Sequence, residues 1–368
     1  MTHLERWKAA IGRGSFDRLP RFFSATGEFM EALKGHLGSD LDTILYRVFD
    51  IDYRFQGSGM EAKAWEPEYI GPELPRYPDG TFENLWGSRQ KLMYHRDGGG
   101  AYTETFEYAL AAAETVAEVD AHRWPEADWF DFAGLLPALE KHPDYPFMVG
   151  YLAIGWFSWE VRGMEQCMVD LALNPKIAEA ITRHIADFGY EYFRRLLETV
   201  KGYVGKNVVC IHLADDWGMQ EGLLLGRDTF QRFYAREYRR LIDLAHAYDL
   251  KVEFHSCGAA RELYRDFADV GVDIMNPVQT SARGMDPREI KREFGRDLAF
   301  SGGVDVQQML PNSTVAEVKA QVKYLLDTLG AGGGYIPGPA HNIQLGTPPE
   351  NVLAMYQAMD EYYGSGIR

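Results

Sequence analysis

The segment KVEFHSCGAARELYRDFADVGVDIMNPVQ (251–279) contains the repeating unit that decides the fold. A short apolar run, KVEFHS (251–256), precedes a stretch with helical spacing, and a second apolar run, DIMNPV (273–278), follows it. A strand, a helix and a strand in this order predict two parallel strands joined by a right-handed crossover.

The same alternation extends in both directions from this unit. Four further apolar runs predict strands: FMVGYL (147–152), VVCIHL (208–213), LAFSGG (298–303) and GYIPGP (334–339). The segment 227–250 has one apolar stripe opposite Arg and Glu, which is typical of an amphipathic helix. These six strands, with one or two more from FDRLPRFFS (16–24) and the middle of the chain, predict an α/β fold, the (β/α)8 TIM barrel. A doubly wound open sheet is the alternative, but the glycine-rich phosphate turn expected after its first strand is absent.

Residues 1–368 are predicted to form a single domain, since barrels with insertions commonly reach this length. Residues from about 50 to 100 differ from the rest: WEPEYIGPELPRYPDGTFENLWG (65–87) is rich in Pro, Gly and aromatic residues. Such a composition predicts short strands and turns, which form an N-terminal insertion or lid.

Charge and cysteine content exclude several classes of protein. The formal net charge of -16 argues against a nucleic-acid or anionic-membrane partner. The three cysteines are too few and too far apart for a disulfide framework. The polar start, MTHLERWKAAIGRG (1–14), lacks the apolar core of a signal peptide, and no stretch approaches the ~18 apolar residues of a membrane helix. We therefore expect a cytoplasmic protein, and a homodimer is left open.

Polar or metal-capable residues follow five successive predicted strands, at the point where each strand ends. In chain order they are Asp215 and Asp216, His255 and Cys257, Asn276 and Gln279, Gly303 and Asp305, and His341. Because the active site of a barrel is built at the carboxyl ends of its strands, we expect these residues to meet there.

His255 and Cys257 are the first candidates for a metal site. Residues i and i+2 of an extended segment point the same way, so an imidazole and a thiol project together. That pair is a natural start for a zinc site. A buried histidine beside an inert cysteine is the alternative for an isolated pair, but the later strand ends with their ligand-capable groups favour the metal.

The remaining candidates have more than one interpretation. Only one of the adjacent Asp215 and Asp216 is expected to face the barrel mouth, as a ligand, a general acid or base, or a helix cap, and Asp215 is slightly favoured. Gly303 allows close approach of the backbone to a ligand or makes a tight turn before Asp305. Arg162 could hold a substrate carboxylate, although an internal ion pair is its default interpretation. The candidate catalytic residues are Asp215, Asp216 and Asp305, and the candidate substrate-binding residues are Asn276, Gln279, Arg162, Trp217 and Gly303.

Several catalytic motifs are absent from the sequence. There is no G-x-S-x-G elbow, no GK[ST] phosphate loop and no H-E-x-x-H zinc motif. The sequence therefore gives little support to a serine hydrolase or a nucleotide hydrolase.

Long stretches of the chain resemble the uroporphyrinogen decarboxylase superfamily. The resemblance is carried by HSCGAARELYRDFADVGVDIMNPVQ (255–279), FSGGVDVQQMLPNSTVAEVKAQV (300–322) and GGGYIPGPAHNIQLGTPPENVLAMYQA (332–358), and upstream by RGMEQCMVDLALNPKIAEA (162–180) and DRLPRFFSATGEFMEALKGHLG (17–38). It implies a (β/α)8 barrel.

Two chemistries occur in that superfamily, and the residues favour one of them. True uroporphyrinogen decarboxylases hold a polycarboxylate with an N-terminal segment of the R-Q-A-G-R type, which LPRFFSATGEFMEAL (19–33) lacks. The methyltransferase branch has an H-x-C pair after a strand, matched by His255 and Cys257. It usually has a later Cys near the last strand, where this chain has His341, and often a Glu where this chain has Gln279.

The resemblance implies a methyltransferase that moves a methyl group from a small methoxylated compound to the cobalt of a corrinoid protein. Zinc bound by His255, Cys257 and His341 would assist the reaction. The corrinoid would belong to a partner protein, because the D-x-H-x-x-G signature of a corrinoid-binding domain is absent. A uroporphyrinogen decarboxylase-type lyase and a catalytically silent ligand-binding barrel are the alternatives.

Overall fold

The computed structural model describes residues 1–54, 64–94 and 101–364, and its centre is a parallel sheet of seven strands. In chain order the strands are β1 (Ala64–Trp65), β2 (Glu68–Tyr69), β3 (Phe82–Glu83), β4 (Arg89–Tyr94), β5 (Ala101–Glu107), β6 (Phe130–Asp131), β7 (Phe147–Leu152), β8 (Val208–Ala214), β9 (Lys251–His255), β10 (Ile274–Asn276), β11 (Ala299–Val304) and β12 (Tyr335–Pro339). The central sheet has the order β1-β7-β8-β9-β10-β11-β12. All six strands predicted from the apolar runs are confirmed.

Helices follow the strands of the central sheet. They are α1 (His3–Ile11), α2 (Gly27–Leu37), α3 (Leu41–Thr43), α4 (Val116–Asp120), α5 (Leu136–Lys141), α6 (Ile154–Arg162), α7 (Met164–Leu173), α8 (Pro175–Val200), α9 (Arg227–Phe233), α10 (Ala235–His246), α11 (Tyr264–Val270), α12 (Pro287–Phe294), α13 (Met309–Asn312), α14 (Val315–Thr328) and α15 (Pro349–Tyr363). The helix predicted over 227–250 is two helices, because Tyr234 leaves the helical conformation with φ at -123°. Its apolar stripe is nevertheless buried, for example at Phe230 and Leu241.

An extended segment lies beside the last strand of the sheet. The Phe22 N–H donates a hydrogen bond to the carbonyl of Pro337 in β12, and Ala25 forms a parallel bridge with Ile343. On the other side of this segment, the Asp52 N–H donates to the carbonyl of Arg21. The strand predicted near 16–24 is therefore extended chain that joins β12 through few hydrogen bonds. Closure into eight strands stays a prediction.

The residues between β1 and β7 form smaller elements outside the central sheet. Strands β3, β4 and β5 make an antiparallel sheet, as the composition predicts for the described part of 50–100; residues 55–63 and 95–100 lie outside the described residues. Glu160 of α6 ties this sheet to the body of the protein by accepting hydrogen bonds from Asn84, Gln90 and Thr105 at 2.9, 3.1 and 2.7 Å. Its role as a lid stays a prediction. Among the described helices, none has the length and apolar character that crossing a membrane requires.

Candidate metal centre and its two cavities

The carboxyl ends of β8, β9 and β10 lie level with one another. His255, the last residue of β9, pairs with Ala214 on one side and Asn276 on the other. Since parallel strands in this register end at one edge of the sheet, the polar residues that follow them are brought to one place.

Three residues at this edge could hold a metal ion. The ligand atoms of His255, Cys257 and His341 all lie within 4.8 Å of one another, and His255 Nε2 is 3.1 Å from Cys257 Sγ. Two imidazole nitrogens and a thiol are a donor set that suits zinc. The residues chosen from the sequence are thus brought together, and their role as metal ligands stays a prediction.

Asn276 fixes which nitrogen of His255 is available. His255 Nδ1 lies 2.7 Å from Asn276 Oδ1, while Asn276 Nδ2 donates to Ser301 Oγ at 3.0 Å. Because an amide oxygen only accepts, Nδ1 carries the proton and Nε2 keeps its lone pair. Burial lowers the pKa of His255 to about 4, so the imidazole is neutral at physiological pH. A neutral imidazole with a fixed tautomer is ready to bind a metal.

The thiol of Cys257 is held in its protonated form. Burial raises its pKa, and the nearby carboxylate of Asp216 adds to the rise. The Cys257 N–H also donates to Asp216 Oδ1 at 3.2 Å. Since only the thiolate is a strong ligand, binding of a cation at this site would release a proton.

Asp215 and Asp216 face in opposite directions, and the slight sequence-based preference for Asp215 is corrected. The Asp215 carboxylate accepts hydrogen bonds from the N–H groups of Gly155 and Trp156, both at 2.7 Å, and from the hydroxyl of Tyr238. Asp215 is 4% exposed and caps the start of α6, while burial raises its pKa to about 7. Asp216 Oδ1 lies 3.8 Å from His255 Nε2 instead. Asp216 is the carboxylate of the candidate site.

Two other candidates from the sequence lie away from the site. Arg162 is buried, where its guanidinium forms an ion pair with Asp170 at 2.7 Å and donates to the carbonyl of Leu110. This is the default interpretation of Arg162, and its assignment to substrate binding is wrong because the guanidinium is used inside the protein. Trp217 is also buried and packs edge-on against Phe230, so its side chain does not reach the site.

The remaining candidates support loops at the edge of the site. The Asp305 carboxylate accepts hydrogen bonds from the backbone N–H groups of Gln307, Gln308 and Met309, which makes it a turn cap. Gly303 has φ at +102°, which glycine adopts readily because it has no Cβ, and its carbonyl accepts a hydrogen bond from the hydroxyl of Thr280. Asp305 also lines the outer cleft, and its assignment to catalysis stays a prediction.

Gln279 and a pair of glycines hold the loop that carries Cys257. Gln279 Oε1 accepts a hydrogen bond from the Gly258 N–H at 2.8 Å. A Cβ on Gly218 would lie 2.4 Å from the carbonyl oxygen of Cys257, and a Cβ on Gly258 would lie 2.5 Å from the carbonyl of Gly218. Only glycine allows so close a contact between the two backbones. The backbones of the loops after β8 and β9 are therefore in direct contact, which fixes their relative position.

Two cavities meet at the metal-capable residues. The inner cavity, of about 200 Å³, is lined by Phe22, Ser24, Tyr151, His212, Ala214, His255, Asn276, Pro339, Ala340, His341 and Asn342. The outer cleft, of about 1060 Å³, is lined by Asp216, Gln220, Cys257, Gln279, Ser281, Asp305, Val306, Gln307, Gln308, Pro311, Ala340, His341, Asn342, Gln344, Leu345, Gly346 and Thr347. His341 lines both. Neither set of described lining residues includes a Lys or an Arg.

The sequence analysis missed His212 and Tyr151 of the inner cavity. Both lie inside apolar strands, His212 in β8 and Tyr151 in β7, and their rings stack with centroids 5.8 Å apart. The alternation of side chains along β8 could have identified His212, because His212 and Ala214 lie on the same face of the strand.

Comparison with known proteins places the chain in a family. The Uroporphyrinogen decarboxylase (URO-D) family matches residues 157–362, more than half of the chain. The chain belongs to the uroporphyrinogen decarboxylase family. The resemblance noted in the sequence is therefore confirmed.

The curated relatives of this chain have two different names. Methylcobamide:CoM methyltransferase MtaA of Methanosarcina barkeri is 27% identical over 140 residues, which are 38% of each chain. Uroporphyrinogen decarboxylase of Crocosphaera subtropica is 26% identical over 176 residues, which are 46% of each chain. The matches span less than half the length of these curated relatives.

A solved structure matches the whole chain. A methyltransferase from Methanosarcina mazei superposes with a TM-score of 0.62 over 99% of both chains, at 19% sequence identity. At this identity the similarity concerns the fold alone, and it covers the chain on both sides of residues 157–362.

Proposed function

We propose that this protein moves a methyl group from a small methoxylated compound to the cobalt of a corrinoid carried by a partner protein. The observation that carries the proposal is the cluster of His255, Cys257 and His341 between the inner cavity and the outer cleft. A small donor fits the inner cavity, and the wide cleft is open to a large acceptor. A methylcobamide methyltransferase among the relatives is consistent with this chemistry.

The donor set suits a zinc ion held by His255 Nε2, Cys257 Sγ and His341. Bound zinc would supply Lewis-acid activation of the ether oxygen of the donor. With one thiolate in place of two, the site retains more positive charge, which favours an oxygen donor. Asn276 keeps Nε2 of His255 unprotonated, and Asp216 borders the site from the cleft.

The chemical change is a methyl transfer with one proton taken up. The carbon–oxygen bond of the donor breaks and its electron pair stays on the oxygen, which takes up one proton that the carboxylate of Asp216 relays from water. Cobalt in its Co(I) state supplies both electrons of the new bond to the methyl carbon and becomes Co(III). Water reaches Asp216 because this residue lines the open cleft.

The proposal includes a closed (β/α)8 barrel in one domain, with the β3–β5 sheet as a lid. The hydrogen bonds of the extended segment near Phe22 to β12 support closure at the eighth position.

The charge of the two cavities argues against the decarboxylase alternative. A polycarboxylate such as uroporphyrinogen needs cationic partners, yet the described lining residues include no Lys or Arg. The arginines of the N-terminal segment are already paired, Arg18 with Asp50 and Asp52, and Arg21 with Asp360.

Methyl transfer can be followed directly. The purified protein is mixed with a corrinoid protein in the Co(I) state and a panel of methoxylated compounds, and the visible spectrum reports methyl-Co(III). We expect the spectral change with wild type and its loss in Cys257→Ala, while His246→Gln, an exposed histidine far from the cluster, serves as the control. No change across a broad panel would contradict the proposal, and the silent ligand-binding barrel would take its place.

A further inference from the structure

The inner cavity carries hydrogen-bonding groups that the reaction does not use. We propose that the methyl donor is a neutral molecule with a free hydroxyl group near its methoxy group, and that His212 binds this hydroxyl. The inference rests on the proposed function and names the class of its substrate.

His212 is held with one nitrogen turned to a buried carboxylate. His212 Nδ1 lies 3.4 Å from Glu253 Oε1, and the two residues are partners in the register of β8 and β9. The Glu253 side chain is fully buried, and Nδ1 is buried without a well-formed hydrogen bond. The carboxylate favours the tautomer with the proton on Nδ1, which makes Glu253 a positioning residue.

The other nitrogen of His212 is available to a ligand. Nε2 has no hydrogen-bond partner among the described residues, and the side chain lines the inner cavity. The ring of Tyr151 stacks against the imidazole at 26°, which fixes its plane. In the tautomer that Glu253 favours, Nε2 is an acceptor, so it selects a group that donates a hydrogen bond.

The charge and size of the inner cavity further restrict the class of methyl donor. The carboxylate of Asp216 lies at the rim, and none of the described residues that line the two cavities is a Lys or an Arg. A carboxylate on the donor would be desolvated next to like charge without a cation to pair with, which is costly. At about 200 Å³ the cavity is also smaller than the roughly 300–1,000 Å³ of pockets for drug-sized ligands. Small neutral alcohols and phenols remain.

Matched donors test the selection on the wild-type protein. The aromatic set is guaiacol, veratrole (the hydroxyl methylated) and vanillate (a carboxylate added), and the aliphatic set is methoxyethanol, dimethoxyethane and methoxyacetate. Binding is measured by calorimetry without corrinoid, and KM and kcat are measured by methyl transfer. In at least one set we expect the neutral hydroxyl compound to bind about tenfold or more tightly than both analogues. A site built for a hydroxyl rejects the methylated analogue that lacks it, and a cavity whose described lining has no cation rejects the carboxylate. If the hydroxyl compound is not preferred in either set, the inference is wrong.

Variants assign the selection to His212. His212→Leu should remove the preference for the hydroxyl compound by raising its KM with little change for the methylated analogue, and His212→Gln, which keeps an acceptor, should restore part of it. Glu253→Gln should weaken the preference, and His246→Gln should leave it unchanged. A preference that survives in a folded His212→Leu would overturn the role of His212.

The two proposals fail in different ways. If the hydroxyl compound binds selectively and no methyl reaches the corrinoid, the methyltransferase function is wrong while the selection by His212 stands. If methyl transfer proceeds equally well from vanillate or veratrole, the function stands and the substrate class is wrong.

Discussion

The rings of His255 and His341 lie 6.1 Å apart, centroid to centroid, although β9, which ends at His255, and β12, which precedes His341, are not neighbours in the sheet. The sheet curls so that the ends of these two strands face each other across its interior. A ligand set drawn from both therefore depends on the curvature of the whole sheet.

Each of the three metal-capable residues should be needed for metal binding. Wild type purified after expression with zinc should contain about one ion per chain, and His255→Ala, Cys257→Ala and His341→Ala should each lose most of it, because one ligand of a small set is removed. Elemental analysis measures the metal, with His246→Ala as the histidine control. Full metal content in all three variants would place the site elsewhere.

Asn276 should tune the metal affinity without being a ligand. Asn276→Ala removes the acceptor that fixes His255, and we expect zinc affinity to fall about 10- to 100-fold. Ser301→Ala is the matched control, since it removes the partner of Asn276 Nδ2 and leaves Oδ1 in place. Competition with a chromogenic chelator gives both affinities. Equal losses in the two variants would mean that packing, and not the orientation of His255, is responsible.

Asp216 should be needed for turnover more than for folding. Asp216→Asn keeps the shape of the side chain and removes its proton transfer, so kcat for methyl transfer should fall about 100-fold or more while the melting temperature changes little. The half-exposed position of the side chain is the reason for the small effect on stability. Near-normal kcat would remove Asp216 from the mechanism.

Asp215 should make stability depend on pH. Its pKa is raised to about 7 in the folded protein, so between about pH 4 and pH 7 the unfolded carboxyl is ionised while the folded one keeps its proton. The contribution to stability is full below pH 4 and is lost as the pH rises through 7, by up to roughly 4 kcal/mol. Urea unfolding of wild type and Asp215→Asn across this range should show wild type losing more stability than the variant. Parallel curves would show that Asp215 is ionised in the fold.

The protein should not decarboxylate uroporphyrinogen. The described walls of both cavities lack the cations that a polycarboxylate requires. Chromatography of the reaction products at ordinary enzyme concentrations should detect no coproporphyrinogen. Its appearance would favour the decarboxylase alternative.

The sequence predicts the elements and candidate residues whose positions follow from hydrophobic periodicity. The apolar runs predict the strands, and the positions after them bring His255, Cys257 and His341 to one edge. The orientation of Asp215 depended on partners that no local pattern contains, namely the N-terminus of α6 and the hydroxyl of Tyr238. The position of the Arg162 side chain likewise depends on its ion pair with Asp170. His212 was overlooked because it is a single polar residue within an apolar strand, and the apolar run alone does not show that its side chain faces inward.

The backbone contact between Gly218 and Gly258 limits how the candidate site can be redesigned. Any side chain at either position would collide with the opposite loop, so the loops that carry Asp216 and Cys257 must be exchanged together in a chimaera. We expect libraries that randomise Gly218 or Gly258 alone to consist mostly of misfolded proteins. Leu345, which also lines the cleft, is 52% exposed and should tolerate substitution better. It is therefore the position at which the cleft can be reshaped while the metal-capable residues stay unchanged.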